Sequence, residues 1–109
     1  MKLEELNDSS LGAYLLRSNA PTVLAFYASW SKPARTMLQV VEEVAEAYGE
    51  MVRFALVDAD HAQDALNRHG ILNLPTFLIF RNGQLVDRFI GLLTKEKLTE
   101  RIEMSLAKM

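Results

Sequence analysis

Few side chains in this sequence stand where they could do covalent chemistry. The 109 residues include no cysteine, which excludes thiol exchange, disulfides and thiolate metal sites in the chain as written. Ser31 lies in Trp30-Ser31-Lys32-Pro33-Ala34-Arg35, where an apolar run gives way to a helical pattern. It lacks the G-x-S-x-G elbow and any placed base, so a serine hydrolase is a poor reading and a helix cap the plainer one. Asp58, Asp60 and Asp64 resemble part of a calcium loop, but the required glycine and closing glutamate are missing. His61 and His69 are far apart in the chain and read as non-ligands. No glycine-rich phosphate cradle is present. These residues predict neither a metal nor a cofactor.

Composition narrows the field further. The length suits one domain around one core, spanning 1–109. The chain is 50% apolar and 24% charged, ordinary for a globular protein. A formal net charge of −2 gives no electrostatic case for nucleic acid. No apolar run approaches the roughly 20 residues that span a bilayer, so no membrane association is expected. Met1-Lys2-Leu3-Glu4-Glu5-Leu6 has no apolar core of the secretory kind, and a cytoplasmic protein is the default expectation.

Helix and strand patterns alternate, which argues for an α/β fold with a sheet covered on both faces. An edge strand is predicted within Met1 to Leu6. Asn7-Asp8-Ser9-Ser10 reads as a helix start, with Leu11 and Leu15 on one face and the helix fading near Ser18-Asn19, before Pro21. Thr22 to Ala28 is a continuous apolar run suited to a central strand. A long helix starts near Ser31, whose hydroxyl is predicted to cap it, with Pro33 in the first turn. Met37, Val41, Val44 and Tyr48 mark its inner stripe, and Gly49 its stop.

Val52 to Asp58 is the next strand, and Asp60 with Gln63 has capping-box spacing before a short helix that Gly70 ends. A loop from Ile71 to Pro75 delivers the strand Thr76 to Phe80. Asn82-Gly83 signals a two-residue hairpin, because a type I′ turn takes positive φ at both positions. Leu85 to Ile90 returns antiparallel, Gly91 breaks that strand, and Thr94 caps a last helix that faces the core with Leu98, Ile102, Leu106 and Met109.

Five segments in this order carry a family resemblance. They are Phe26-Tyr27-Ala28-x-Trp30-Ser31-x-Pro33-Ala34-Arg35, Val57-Asp58-x-Asp60, Gly70-Ile71-x-x-Leu74-Pro75-Thr76, Phe80-x-Asn82-Gly83 and Gly91. Together the chain resembles the thioredoxin family over nearly its full length. The resemblance implies a mixed sheet of strand order 1-3-2-4-5 with helices on both faces. It implies a cis Leu74–Pro75 bond and a shallow groove for an extended peptide. The matching groove positions are Trp30, Lys32, Pro33, Asn73, Leu74, Pro75, Ile90 and Gly91, with strand-like backbone pairing at Leu74. Lys32 and Arg35 would give the groove mouth a positive field that attracts acidic peptides. The implied partners are protein or peptide clients, with a monomer or weak dimer as the expected state.

The departures from the family bear on function. Its enzymes carry W-C-x-x-C, and Ser31 and Ala34 stand at the two cysteine positions. A serine does not perform disulfide exchange, and Ala34 has no resolving group, so the chain as written is predicted not to cycle. The family's buried Asp and its companion Lys match Ala25 and Leu56, and its helix proline matches Gln39. Two histories fit. A naturally redox-inactive module would keep the groove for clients. Alternatively, a disulfide oxidoreductase with a parent Cys-Lys-Pro-Cys motif has had its cysteines replaced, and thioredoxin reductase would be a partner of that parent.

Overall fold

The computed structural model describes residues 3–17 and 19–107. In chain order the elements are β1 (Glu4–Leu6), α1 (Leu11–Leu16), β2 (Thr22–Tyr27), α2 (Lys32–Tyr48) and β3 (Arg53–Asp58). A 3-10 turn (Ala59–His61) follows, then α3 (Gln63–Arg68), β4 (Thr76–Arg81), β5 (Gln84–Ile90) and α4 (Lys95–Ala107). The strands form one sheet in the order β1-β3-β2-β4-β5. β1 and β2 run parallel to β3, whereas β4 is antiparallel to both β2 and β5. The mixed α/β sheet and its strand order agree with the thioredoxin-like expectation.

β2 lies at the centre and is buried along its whole length, which is why its sequence is apolar without alternation. Its side chains still alternate between two cores. Val23, Ala25 and Tyr27 pack with Met37, Val41 and Val44 of α2 and with Leu98 and Ile102 of α4. Leu24 and Phe26 pack on the other face with Leu11 and Tyr14 of α1 and Ala65 of α3. Full burial of each large side chain contributes about 1.5–3 kcal/mol. The two faces together fix β2, and with it the position of whatever follows Tyr27.

The hairpin has the predicted turn, with Asn82 at φ 53° and Gly83 at φ 79°. The register slips between Ile79 and Phe80, which pair with Asp87 and Leu85 respectively, so β5 carries a bulge at Val86. Thr94 caps α4 through Oγ1, which accepts the Lys97 N–H at 3.2 Å. Leu98 and Ile102 are buried and Leu106 packs against the same cluster. Met109 lies outside the described residues. So do Met1 and Lys2 of the predicted edge strand, and Ser18 at the predicted end of α1.

The capping box proposed for Asp60 and Gln63 does not form. Asp60 donates its N–H to Asp58 Oδ1 at 3.0 Å inside the 3-10 turn, and Gln63 Nε2 donates to the Ala59 carbonyl. The cap on α3 comes instead from Asp8, whose carboxylate accepts the N–H groups of Asp64 and Ala65 at 3.0 and 2.9 Å. Asp8 is free for this because the turn before α1 is held by its neighbour. Asn7 Oδ1 accepts the N–H groups of Ser9 and Ser10 at 2.9 and 3.1 Å.

Candidate functional site

The chain leaves the centre of the sheet at Tyr27 and turns through Ala28 and Ser29 into α2. Trp30, on that turn, is 76% exposed. A large aromatic left outside two well-filled cores is available for contact with a partner. Ser31 occupies the N-cap of α2 at φ −80°, ψ 140°, but its hydroxyl makes no capping bond, contrary to expectation. The reason is local. A cap hydroxyl takes the N–H of the second or third helical residue. The second is Pro33, which has no N–H, and the third, Ala34, donates to the Ser31 carbonyl at 3.1 Å. The hydroxyl therefore has neither a helix donor to accept from nor a base beside it to activate it.

Ala34 is buried in the same cluster as Tyr27 and Met37. Deeper in the same layer, Ala25 and Leu56 are register partners across β2 and β3, and both are buried. Tyr27 brings an ionisable group to the lining of the cleft beside Ser31. Its hydroxyl donates to Glu5 Oε1 at 3.0 Å. Burial, followed by the bond to Glu5, pushes the phenol well above its ordinary range. The phenol is thereby held in its neutral, hydrogen-bond-donating form. No cluster of His, Asp or Glu suited to a metal occurs among the described residues.

The second wall comes from the loop before β4. Leu74–Pro75 is cis, with Pro75 buried and Leu74 38% exposed. β2 meets β4 at Phe26 and Thr76, and β4 meets β5 at Thr76 and Ile90. The loop is thereby set between the start of α2 and the end of β5. The Gly91 N–H donates to the Pro75 carbonyl at 2.9 Å, joining the third wall to the second. Ser31, Pro33, Ala34, Met37, Leu74 and Pro75 line a shared cleft of about 10 Å³. That is barely room for one water, so an occupant must lie along the surface. Beyond Ser31, a separate open depression of about 530 Å³ bears Trp30, Lys32 and Arg35.

Pro33, Leu74 and Pro75 therefore share one cleft, and Ile90 and Gly91 adjoin it through the β4–β5 ladder. Trp30 and Lys32 border its outer side. Asn73 is exposed on the loop, and its carbonyl accepts the Thr76 hydroxyl. Two neighbours went unremarked in the sequence. Leu72 is 91% exposed and Leu92 45% exposed. The signal for both was leucine in a loop, outside any strand or helix period. Another concavity, about 400 Å³, lies at the opposite end of the sheet around Tyr14, Gly49 and Arg53. The Arg53 guanidinium covers the Tyr14 ring there at 3.9 Å, and its Nη2 donates to the Tyr14 carbonyl at 2.8 Å. These contacts tie α1 to β3.

Residues 2–104 match the family model described as Thioredoxin. The chain is 36% identical over 98 residues to the chloroplastic thioredoxin Y2 of Arabidopsis thaliana, covering 90% of this chain and 59% of that protein. It is 32% identical over 104 residues to the thioredoxin of Rhodospirillum rubrum, covering 95% of this chain and 100% of that one. Thioredoxin 1 of Nostoc sp. is 31% identical over 102 residues, with 94% and 95% covered. The chain thus spans about three-fifths of the plant relative and all or nearly all of the two bacterial ones. With the sheet order and the family match in agreement along almost the whole sequence, the chain belongs to the thioredoxin family.

Proposed function

We propose that residues 1–109 act as one domain that binds extended or partly unfolded polypeptide along the surface formed by Trp30, Pro33, Leu74, Pro75 and Gly91, without redox turnover. The observation that carries this reading is at Leu74. Neither its backbone N–H nor its carbonyl has an intramolecular partner among the described residues. A peptide laid alongside in extended conformation would satisfy both, as in strand addition. Exposed Trp30 and Ile90 would receive its side chains. The absence of turnover follows from the absence of cysteine, because a serine hydroxyl supplies no thiolate for exchange. The other history, a disulfide oxidoreductase with replaced cysteines, accounts for Ser31 and Ala34 but not for apolar Ala25 and Leu56.

The test is titration with a cysteine-free extended peptide. Trp30 is the only tryptophan in the chain, so its fluorescence reports on the site directly. A saturable change, with amide shifts concentrated at Leu74 and Gly91, is the expected result. Unmoved fluorescence and unmoved Leu74 and Gly91 amides would sink the reading.

A further inference from the structure

The groove has an electrostatic character that the net charge conceals. Three segments form it, residues 28–38, 70–76 and 89–94. None of the chain's 14 Asp and Glu residues falls in any of them, although acids outnumber Lys and Arg overall. Lys32 and Arg35 do, and both are exposed. The ion pairs among the described residues engage Arg17 with Glu4, His61 with Asp58, Lys95 with Glu43 and Arg101 with Asp87, leaving Lys32 and Arg35 unpaired. The first turn of α2 also lacks an acidic residue and a side-chain cap, so the helix dipole adds to the same positive field. The acids of the sheet beside the groove are Glu5 of β1, whose carboxylate accepts the Tyr27 hydroxyl, and those at the end of β3 and the turn after it. Asp58 there is buried, with its carboxylate occupied by the Asp60 N–H.

The same segments hold Trp30, Leu72, Leu74, Ile90 and Leu92, most of the exposed large apolar side chains among the described residues. An apolar patch beside two uncompensated cations complements a ligand that is apolar along one stretch and anionic next to it. We infer that the client is an extended protein segment in which an apolar residue is flanked by Asp or Glu, the apolar part seated on Leu74, Ile90 and Leu92 and the carboxylates facing Lys32 and Arg35. This inference rests on the groove reading and narrows it to one class of client.

Three peptides with one apolar centre, flanked by Glu, Gln or Lys, separate the two claims. At low salt the Glu peptide is expected to bind most tightly. Its margin over the Gln peptide is about three- to tenfold, the scale of two exposed ion pairs. That margin should shrink in salt and invert in the double variant Lys32→Glu, Arg35→Glu. Equal affinity for all three peptides, or preference for the Lys peptide, overturns the charge preference and leaves the groove reading standing. No binding of any peptide overturns both.

Discussion

Ala25 on β2 and Leu56 on β3 are opposed in the parallel ladder, and both belong to the buried layer that also contains Ala34 and Met37 of α2. At this pair the layer beneath the start of α2 is apolar, and the polar groups of the two strands on that face, the Tyr27 hydroxyl and the Asp58 carboxylate, come at the next pair on the same face. An ionised group placed there has no partner, and an uncompensated buried charge costs several kcal/mol. Ala25→Asp is expected to lower stability by about 2–4 kcal/mol at pH 7.5. The sign of its pH dependence follows from burial, which raises the carboxyl's folded pKa above the unfolded value of about 3.9. The ionisation penalty is absent below that value and grows as pH rises above it. Urea midpoints at pH 4 and pH 7.5 measure it. A variant as stable as the parent at pH 7.5 would show that the layer accepts charge.

The link between Asp8 and α3 gives a second prediction. One carboxylate accepts two N–H groups at the start of a helix that supplies no side-chain cap of its own. Asp8→Ala is expected to cost about 1–2 kcal/mol, and Asp8→Asn, which keeps one acceptor, less. Amide exchange at Asp64 and Ala65 should quicken in the alanine variant before the rest of the sheet is affected. Unchanged protection at those two amides would count against the cap.

What was legible in the sequence was what short-range pattern determines. Thr22 to Ala28 announces a buried strand because every position is apolar or small. Asn82-Gly83 announces a hairpin because few other pairs take positive φ twice. Thr94 lies three residues before the N–H it accepts. The less legible parts depend on partners distant in the chain or on one residue cancelling another. Asp8 looked like part of its own helix start but caps α3. Ser31 has the identity of a cap, yet Pro33 removes one donor and the Ser31 carbonyl takes the next. At the groove, Leu72 and Leu92 belong to no periodic segment, and only the pairing of β4 with β2 and β5 brings their loops to the start of α2.

His69 gives a pH-dependent prediction. Its ring meets the Phe80 ring edge-on, with centroids 5.7 Å apart. Burial, then the charges of Arg68 and Arg88, push its pKa below the ordinary histidine value. The folded protein thus takes up this proton less readily than the unfolded chain does. The resulting contribution favours folding above the unfolded pKa of about 6.5 and declines as pH falls through it towards the folded value. His69→Gln should flatten the dependence of the urea midpoint on pH between 7.5 and 5. A parent and variant with identical slopes would assign that dependence to other groups.

Restoring the cysteines tests the proposed loss of turnover. Ser31 and Ala34 hold the N-cap and third positions of α2, one helical turn apart. In Ser31→Cys, Ala34→Cys the first thiol would gain thiolate character from the helix terminus, but the second would lie in the apolar layer over Ala25 and Leu56. Burial without a charge partner disfavours its thiolate, so attack on the mixed disulfide should be slow. The double variant is expected to fold and to reduce a model disulfide poorly. Adding Ala25→Asp and Leu56→Lys restores the carboxylate and amine that the family resemblance implies at these positions, and a carboxylate placed there as a general base for the second thiol would raise turnover on the order of 10²-fold. Thermal melting of both variants separates slow chemistry from failed folding. If the double variant alone turns over as fast as the quadruple one, the apolar layer is not what withholds activity, and the replaced-cysteine history becomes the better account of the chain.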